Sequence, residues 1–400
     1  MNAERTLPLA DVRVIDAANV IAGPGAAARL GDFGAEVIKI EDPSFGDTTR
    51  RMGWQVDGTA MWWRWISRKK RPVTLNLSHP DGQDIFLKLA DTADVVIESF
   101  RPGTLEKWSI GPDQLLDRNP RLVILRVSGF GQTGPYSRRP GFGTLAEAMS
   151  GFVHMNGVPG EPPLLPPIAL ADEVAAILGA YSIMVALHHR DHVSGAGQVI
   201  DASLIESLLQ ITGPISAAFD KLGVVPGPTA SRLPYVAPRG VFRCSDGQWI
   251  AISGSAQSIV ARLFKAIDQP ELVEDPRFVT NERRLEHVEE LDGFIQNWIG
   301  DRPLTEVMDI FERHEVAAAP VYDIRMILED EQYQERNTLV RVPDEDLGSI
   351  LLPDVQPRLS VSPGEIRHAG GKHGSANEGV YAELGMTAED LVRLRDEGVI

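Results

Sequence analysis

"VIAGPGAAARLGDFGAEVIKIE", residues 20–41, decides how this chain is read. A mostly apolar run, Val12 to Ile15, precedes it. Gly23-x-Gly25-x-x-Ala28 then opens an Ala- and Leu-bearing segment, and a second apolar run ends on Glu41. Strand, glycine turn, helix, strand and terminal acid are the parts of a dinucleotide-binding fingerprint. Glycines there let backbone approach a ligand, and a helix N-terminus favours an anion. Pro24 argues against the usual form, because it removes one N–H donor and fixes φ. The stretch alone leaves both a nicotinamide-dependent oxidoreductase and plain tight-turn packing open.

Outward from this stretch, the first 130 residues alternate between two textures. The runs 12–16, 36–40, 72–77, 94–100 and 121–130 are short, β-branched and largely apolar, as strands of a parallel sheet covered on both faces are. Helical segments lie between them. In "SHPDGQDIFLKLADTA" Ser78 is the expected N-cap, and Ile85, Phe86 and Leu89 form the buried side. This alternation predicts an α/β fold, a Rossmann-like open parallel sheet with right-handed crossovers. A strongly apolar helix follows over 172–190, then a strand at "GQVIDAS" and another helix. "VVPGPTASR", 224–232, breaks the texture. The chain is therefore divided into 1–225, a small α+β domain over 228–325, and a segment 326–400.

The 400 residues carry 56 acids against 39 bases, a net charge of −17. A surface so acidic repels nucleic-acid backbones and anionic lipid, so neither is an expected partner. Any anionic ligand then needs a local cluster of cations. The single cysteine, Cys244, excludes an intramolecular disulfide and a Cys-based metal cluster, which suits a reducing compartment. "MNAERTLPLA" has no signal-like apolar core, and the apolar run Val174–Leu187 is short for a bilayer. A soluble cytoplasmic protein that spans no membrane is expected.

Histidines 188, 189 and 192 cluster in "HHRDH", but adjacent side chains on a helix point apart. Cations there complement a helix C-terminus, so no metal site is expected. "RVSGFGQTG" lacks the order of a nucleophile elbow, so Ser128 is read as part of a strand-end turn beside a ligand. "SRKKRPVTLNL", with Arg50, Arg51, Arg101 and Lys107, supplies cations for a polyanionic small molecule, or else forms a solvated face. Asp172 opens the apolar helix. It is either a first-turn acid satisfied by orphan N–H groups, or a poorly solvated and hence nucleophilic carboxylate kept ionised by them.

Taken together, several segments resemble the class III (CaiB/BaiF-type) CoA-transferases. They are residues 8–51, "KKRPVTLNL", "DVVIESFRPGTLEKWSIG", "NPRLVILRVSGFGQTGPYSRRPGF", "ASLIESLL", "GVFRCSDGQWIAIS" and "DLVRLRDEGVI". The resemblance implies a large CoA-binding domain built from both chain ends, an inserted small domain, and an interlocked homodimer. It implies an acyl-CoA:carboxylate CoA-transferase acting on small, including dicarboxylic, acids, with Asp172 as nucleophile through an aspartyl-CoA thioester and with no metal. It further implies that Val20, Ile21 and Ala22 line the CoA path, with Ile21 facing the chemistry. Leu75 and Asn76 would lie near the adenine, and Ser99, Phe100, Arg101 and Lys107 near the phosphates. The family also contains acyl-CoA racemases, whose histidine base is replaced here by Phe142, a side chain that transfers no proton. A non-catalytic CoA-binding protein is a further alternative. The family's glycine-run loop has no counterpart near "TASRLPYVAPRG".

Overall fold

Six short strands, β1 (Arg13–Asp16), β2 (Glu36–Glu41), β3 (Lys70–Thr74), β4 (Val95–Glu98), β5 (Val123–Ser128) and β6 (Gln198–Ser203), pair in the order β3-β2-β1-β4-β5-β6. Every pairing is parallel. That is the strand order of the dinucleotide-binding doubly wound sheet, with its reversal between β1 and β4. The structure is a computed structural model and describes residues 7–254 and 256–400. Met1–Thr6 of the quoted N-terminal stretch, and Ser255, lie outside the described residues.

Alternation along the strands explains why the runs are apolar throughout. Ile15, Ile38, Val96 and Ile124 point into one core layer with Phe86, Leu89 and Tyr381. Their neighbours Val14, Val37, Val95, Ile97, Val123 and Leu125 point into the other, with Ala26, Ala175 and Ile183. A period-2 pleat covered on both faces leaves no polar face to display. The sequence runs extend beyond the strands, however. β3 occupies Lys70–Thr74 rather than 72–77, and β4 ends at Glu98 rather than at Phe100. The helix α1 (Ala22–Asp32) follows β1, and α2 (Pro80–Asp91) follows β3. His79, not Ser78, caps α2, its ring nitrogen accepting from the Asp81 N–H.

The two fingerprint glycines lie within α1 rather than in a turn before it. A Cβ on Gly23 would stand 2.3 Å from the Ala18 Cβ, and one on Gly25 would stand 2.9 Å from the Ala176 Cβ. They let α1 press against its own entry loop and against the long helix α4, while α3 (Gly143–Met149) precedes that helix in the chain. α4 runs Leu170–His189. The turn itself is made at Val20, with φ 70°. A β-branched residue in the left-handed region costs roughly 1–3 kcal/mol, so other contacts must hold it there.

The helical run that begins with α4 spans Leu170–Ser194, 25 residues, and an 18-residue window within it has a mean hydropathy of 1.7. It is therefore long and apolar enough to cross a membrane by length and composition, contrary to the reading of 174–187 as too short. One face, with Ala175, Ala176, Gly179, Ile183 and Ala186, is buried on the sheet. Ile177, Tyr181 and Val185 on the other are exposed.

The described residues fall into two compact units. The segment from Leu7 up to Phe152, with Leu165–Gly213 and Arg336–Ile400, makes the first, and Val153–Leu164 with Pro214–Glu335 make the second. These limits differ from the expected 225/228 and 325/326. The stretch 224–232 that breaks the texture lies inside the second unit, where Arg232 pairs with Asp292 at 2.7 Å and Ser231 Oγ accepts the Val241 N–H at 3.1 Å. The second unit holds an antiparallel sheet, β7 (Arg239–Arg243), β8 (Trp249–Ser253) and β9 (Ala318–Pro320), in the order β9-β8-β7. Phe264, Phe278 and Phe311 pack behind it. In the first unit the C-terminal segment fastens the end of β3. Asn377 Oδ1 accepts the Thr74 N–H at 2.9 Å, Tyr381 donates to the Thr74 carbonyl at 2.5 Å, and the Asn76 N–H donates to the Val399 carbonyl at 2.8 Å.

A buried ionic network sits beneath the β1–α1 loop. Lys39, without solvent exposure, meets Asp47 at 3.3 Å and donates to the Ala18 and Ile40 carbonyls. Lys70 donates to Asp16 at 2.8 Å and to the Pro24 carbonyl at 2.7 Å. The same Asp47 oxygen accepts the Val20 N–H at 3.3 Å, which ties the strained turn to the network. Burial opposes the charge on Lys39, but Asp16, Asp47 and Glu41 outweigh it and hold its pKa above the usual lysine value. Burial, with repulsion from Lys39, pushes Lys70 down to about 8. Lys39→Met would leave Asp47 buried beside a group that cannot neutralise it. We expect a loss of about 3–5 kcal/mol in urea denaturation; a loss below about 1 kcal/mol would show that the network does not hold the loop.

Candidate active site

Ligands of open parallel sheets bind beyond the carboxyl ends of the strands, where the strand order reverses. Here that place lies between the loop after β1 and the segment after β4. The Asn19 N–H donates to Ser99 Oγ at 2.9 Å and fastens the two together. Two cavities open there. One, of about 200 Å³, is lined by Asn19, Val20, Ala22, Ser99, Phe100, Arg101, Ser128, Arg139, Phe142 and Asp172, among others. The second, of about 390 Å³, is lined by Asn19, Glu41, Leu75, Asn76, Phe100 and Trp108, among others. Asn19 and Phe100 belong to both walls, so the cavities adjoin.

Asp172 lies in the first turn of α4, two residues after Leu170, and is half-buried. The helix N-cap, Ala169, offers no side-chain acceptor. Instead Glu147, a buried side chain on α3, accepts the Ala171 N–H at 3.3 Å. A second acid, Glu173, is paired with Arg29 at 2.6 Å. Burial, followed by repulsion from Glu147 and Glu173, pushes the Asp172 carboxyl up to about 6. A backbone N–H pulls the other way but does not prevail. The helix terminus therefore does not keep Asp172 fully ionised, as its position in the sequence suggested. The result is a carboxylate that titrates near neutrality in a small cavity, a combination found at functional sites. Gly143 lies flush against it, and a Cβ there would stand 2.1 Å from Asp172 Oδ2.

The residues proposed from sequence are only partly brought together. Val20, Ala22, Ser99, Phe100, Arg101, Phe142 and Asp172 share the smaller cavity, while Leu75 and Asn76 line the larger. Ile21 does not face the chemistry. It lines neither cavity and is 5% exposed. Lys107, on the exposed side of the short helix Thr104–Lys107, also lines neither.

Three of the four cations in the basic run are consumed internally. Arg68 makes a two-pronged pair with Asp32 at 2.8 and 2.6 Å, Lys70 meets Asp16, and Arg71 meets Glu36 and Glu383. Arg50 holds Glu41 at 2.6 and 2.7 Å, and Arg51 donates to the Phe45 carbonyl at 2.5 Å. Glu41, the fingerprint's terminal acid, is thereby engaged. Arg101 and Arg139, by contrast, line the smaller cavity with no ion-pair partner among the described residues. Asn19, Arg139 and Gly143 were not singled out from sequence. The only signal for the last two was their place in "SRRPGFG", just after the Ser128 turn.

Two outcomes follow from this geometry. The folded pKa of Asp172 lies above its ordinary value of 3.8, so its ionised form costs stability. That cost is complete above about pH 6 and absent below about pH 3.8. Asp172→Asn should raise stability at pH 7–8 by on the order of 1–3 kcal/mol, and the gain should vanish by pH 4. Thermal melts across that range check it, and a gain independent of pH would contradict it. Gly143→Ala drives a methyl into Asp172 Oδ2 and should cost at least about tenfold in any activity of the site, more than the same change at the open Gly293.

The family model for CoA-transferase family III matches residues 9–377. A succinyl-CoA–D-citramalate CoA-transferase from Chloroflexus aurantiacus is 39% identical, covering 98% of this chain and 98% of its own. The beta subunit of a succinyl-CoA–L-malate CoA-transferase from the same organism is 41% identical, covering 99% and 98%. A crystal structure of a CaiB/BaiF family protein from Brucella suis matches at a TM-score of 0.83 and 27% identity, covering 95% of this chain and 100% of that one. Over nearly its whole length, from the parallel sheet to the C-terminal segment, this chain belongs to CoA-transferase family III.

Proposed function

We propose that this protein transfers CoA from an acyl-CoA donor to a carboxylic acid, with Asp172 as the nucleophile. The observation that carries this reading is the Asp172 carboxylate, titrating near neutrality in a small cavity that adjoins a larger one across Phe100 and Asn19. A volume of about 200 Å³ is below the usual range for drug-sized ligands and suits a short acyl group with its thioester. The larger, partly aromatic cavity suits the adenine end of CoA. Arg101, on the wall of the smaller cavity next to the shared Phe100, supplies a cation for phosphate.

Chemistry then proceeds in four exchanges. An Asp172 oxygen attacks the thioester carbonyl, and the C–S bond breaks to give a mixed anhydride and CoA thiolate. The thiolate attacks the Asp172 carboxyl carbon, which releases the donor acid and leaves an aspartyl-CoA thioester. The acceptor carboxylate attacks that thioester and expels the thiolate again. Thiolate attack on the acceptor's acyl carbon forms the new acyl-CoA and restores Asp172. CoA that stays bound makes each recapture effectively unimolecular.

The named relatives use succinyl-CoA with citramalate or malate, which supports short dicarboxylic acids as substrates. Racemase chemistry is disfavoured because Phe142, on the cavity wall, carries no exchangeable proton. Nicotinamide binding loses its main support, since both glycines lie inside α1, Gly23 packing on the entry loop and Gly25 on α4. The exposed apolar face of α4, with Ile177, Tyr181 and Val185, supports burial against a second copy in a homodimer, and we place the protein in the cytoplasm.

A matrix of acyl-CoA donors and carboxylate acceptors, read by mass, should yield new CoA esters. Hydroxylamine added with a donor should trap a hydroxamate on Asp172. Asp172→Ala should lower transfer by at least about 10³-fold, and full activity in that variant would sink the mechanism. The single-turnover rate of acylation should rise with pH through about 6 as Asp172 ionises. Solvent deuterium appearing at the acyl α-carbon would support racemisation instead.

A further inference from the structure

We infer that Arg139 reads the remote carboxylate of the acyl group and so sets a preference for dicarboxylic over monocarboxylic substrates. The inference rests on the transferase reading above and assigns a residue to its substrate selectivity. Asp172 lines the smaller cavity, and Glu147 and Glu173 behind it add like charge. A second carboxylate brought there on a substrate meets like charge and needs a fixed cation. The protein's overall charge of −17 offers an anion no general attraction, so the cation must be local.

Two unpaired guanidiniums line the cavity, and their places in the chain separate their tasks. Arg101 follows Phe100, the side chain shared with the larger cavity, and so lies on the side of the CoA body. Arg139 lies four residues before Gly143, the residue pressed against Asp172, and lines only the smaller cavity. Its guanidinium is held without a carboxylate, 3.7 Å over the Tyr136 ring, which meets Phe130 edge-on at 6.0 Å. The Arg139 N–H donates to the Tyr136 carbonyl at 2.8 Å, closing a turn beneath it. Gly141 packs on Gly129, where an added Cβ would stand 2.6 Å away, so the segment is pinned to the turn after β5. A stacked, pre-organised fork with free donors matches a carboxylate in two-pronged fashion, which a lysine does not.

The test uses carba analogues of succinyl-CoA and butyryl-CoA, with methylene in place of sulfur, and free CoA as the third ligand. Calorimetry on the intact protein should show wild type binding the succinyl analogue about 10- to 100-fold tighter than the butyryl analogue. Arg139→Gln should erase that preference while its affinity for free CoA stays with wild type, and Arg139→Lys should keep part of it. Arg101→Gln should weaken all three ligands together and leave the preference intact. If Arg139→Gln instead weakens all three equally, Arg139 holds phosphate and the inference is overturned. An unchanged preference in Arg139→Gln overturns it too. If wild type binds none of the three, the transferase reading itself fails, which is a different result from either.

Discussion

Lys39 and Lys70, both cut off from solvent, sit under the carboxyl ends of β1 and β2, and the geometry above them depends on how their charge is met. Isolated buried ammonium groups would lose their protons, since desolvation disfavours the charged form. Asp16 and Asp47 prevent this for Lys39. Three backbone carbonyls, those of Ala18, Pro24 and Ile40, take the remaining donors of the two lysines. Because two of those carbonyls belong to the β1–α1 loop or the first turn of α1, the charge network also fixes the loop's course. Val20 is held with φ 70° by the same Asp47 oxygen that meets Lys39. Loop, strain and network form one unit, and one wall of each cavity rests on it.

This arrangement shows why a dinucleotide-binding strand order does not require the dinucleotide-binding fingerprint. In that fingerprint, glycines open the backbone for a pyrophosphate. Here Gly23 and Gly25 lie inside α1 and bring it against Ala18 and Ala176. The close approach serves helix packing, and through it the position of α4, whose first turn carries Asp172. Pro24 fits the same picture. In the first turn of a helix its missing N–H is no loss, and its carbonyl is free to accept from Lys70. The glycine pattern thus acts on the site by placing a helix, and Gly23 also forms part of the smaller cavity's wall.

Much of the fold was legible because it rests on local pattern. Strands buried on both faces read as continuous apolar runs, and Ile85, Phe86 and Leu89 gave the inner face of α2 at helical spacing. Long-range pairing was not legible. Nothing in "SRKKRPVTLNL" shows that Arg68 faces Asp32, or that Arg71 meets both Glu36 and Glu383. A basic run looks the same whether its partners are phosphates or distant carboxylates. The second unit's limits were missed for a similar reason. The proline-rich stretch that marks a boundary by composition lies inside that unit, its Arg232 held by Asp292, about 60 residues away.

Asp172 was legible as a candidate but not in its electrostatics. From sequence, an acid in the first turn of a helix is expected to ionise easily, because the dipole and orphan N–H groups favour the anion. In the structure that effect is outweighed by burial and by Glu147, which takes the Ala171 N–H for itself. The neighbouring acid therefore acts twice, consuming a donor of the helix terminus and adding a like charge beside Asp172. A fully solvated, readily ionised aspartate would be a poor nucleophile, and one neutral at pH 7 would be none. A carboxyl poised near 6 lies between the two: ionised at neutral pH, yet destabilised as the proposed nucleophilic role requires.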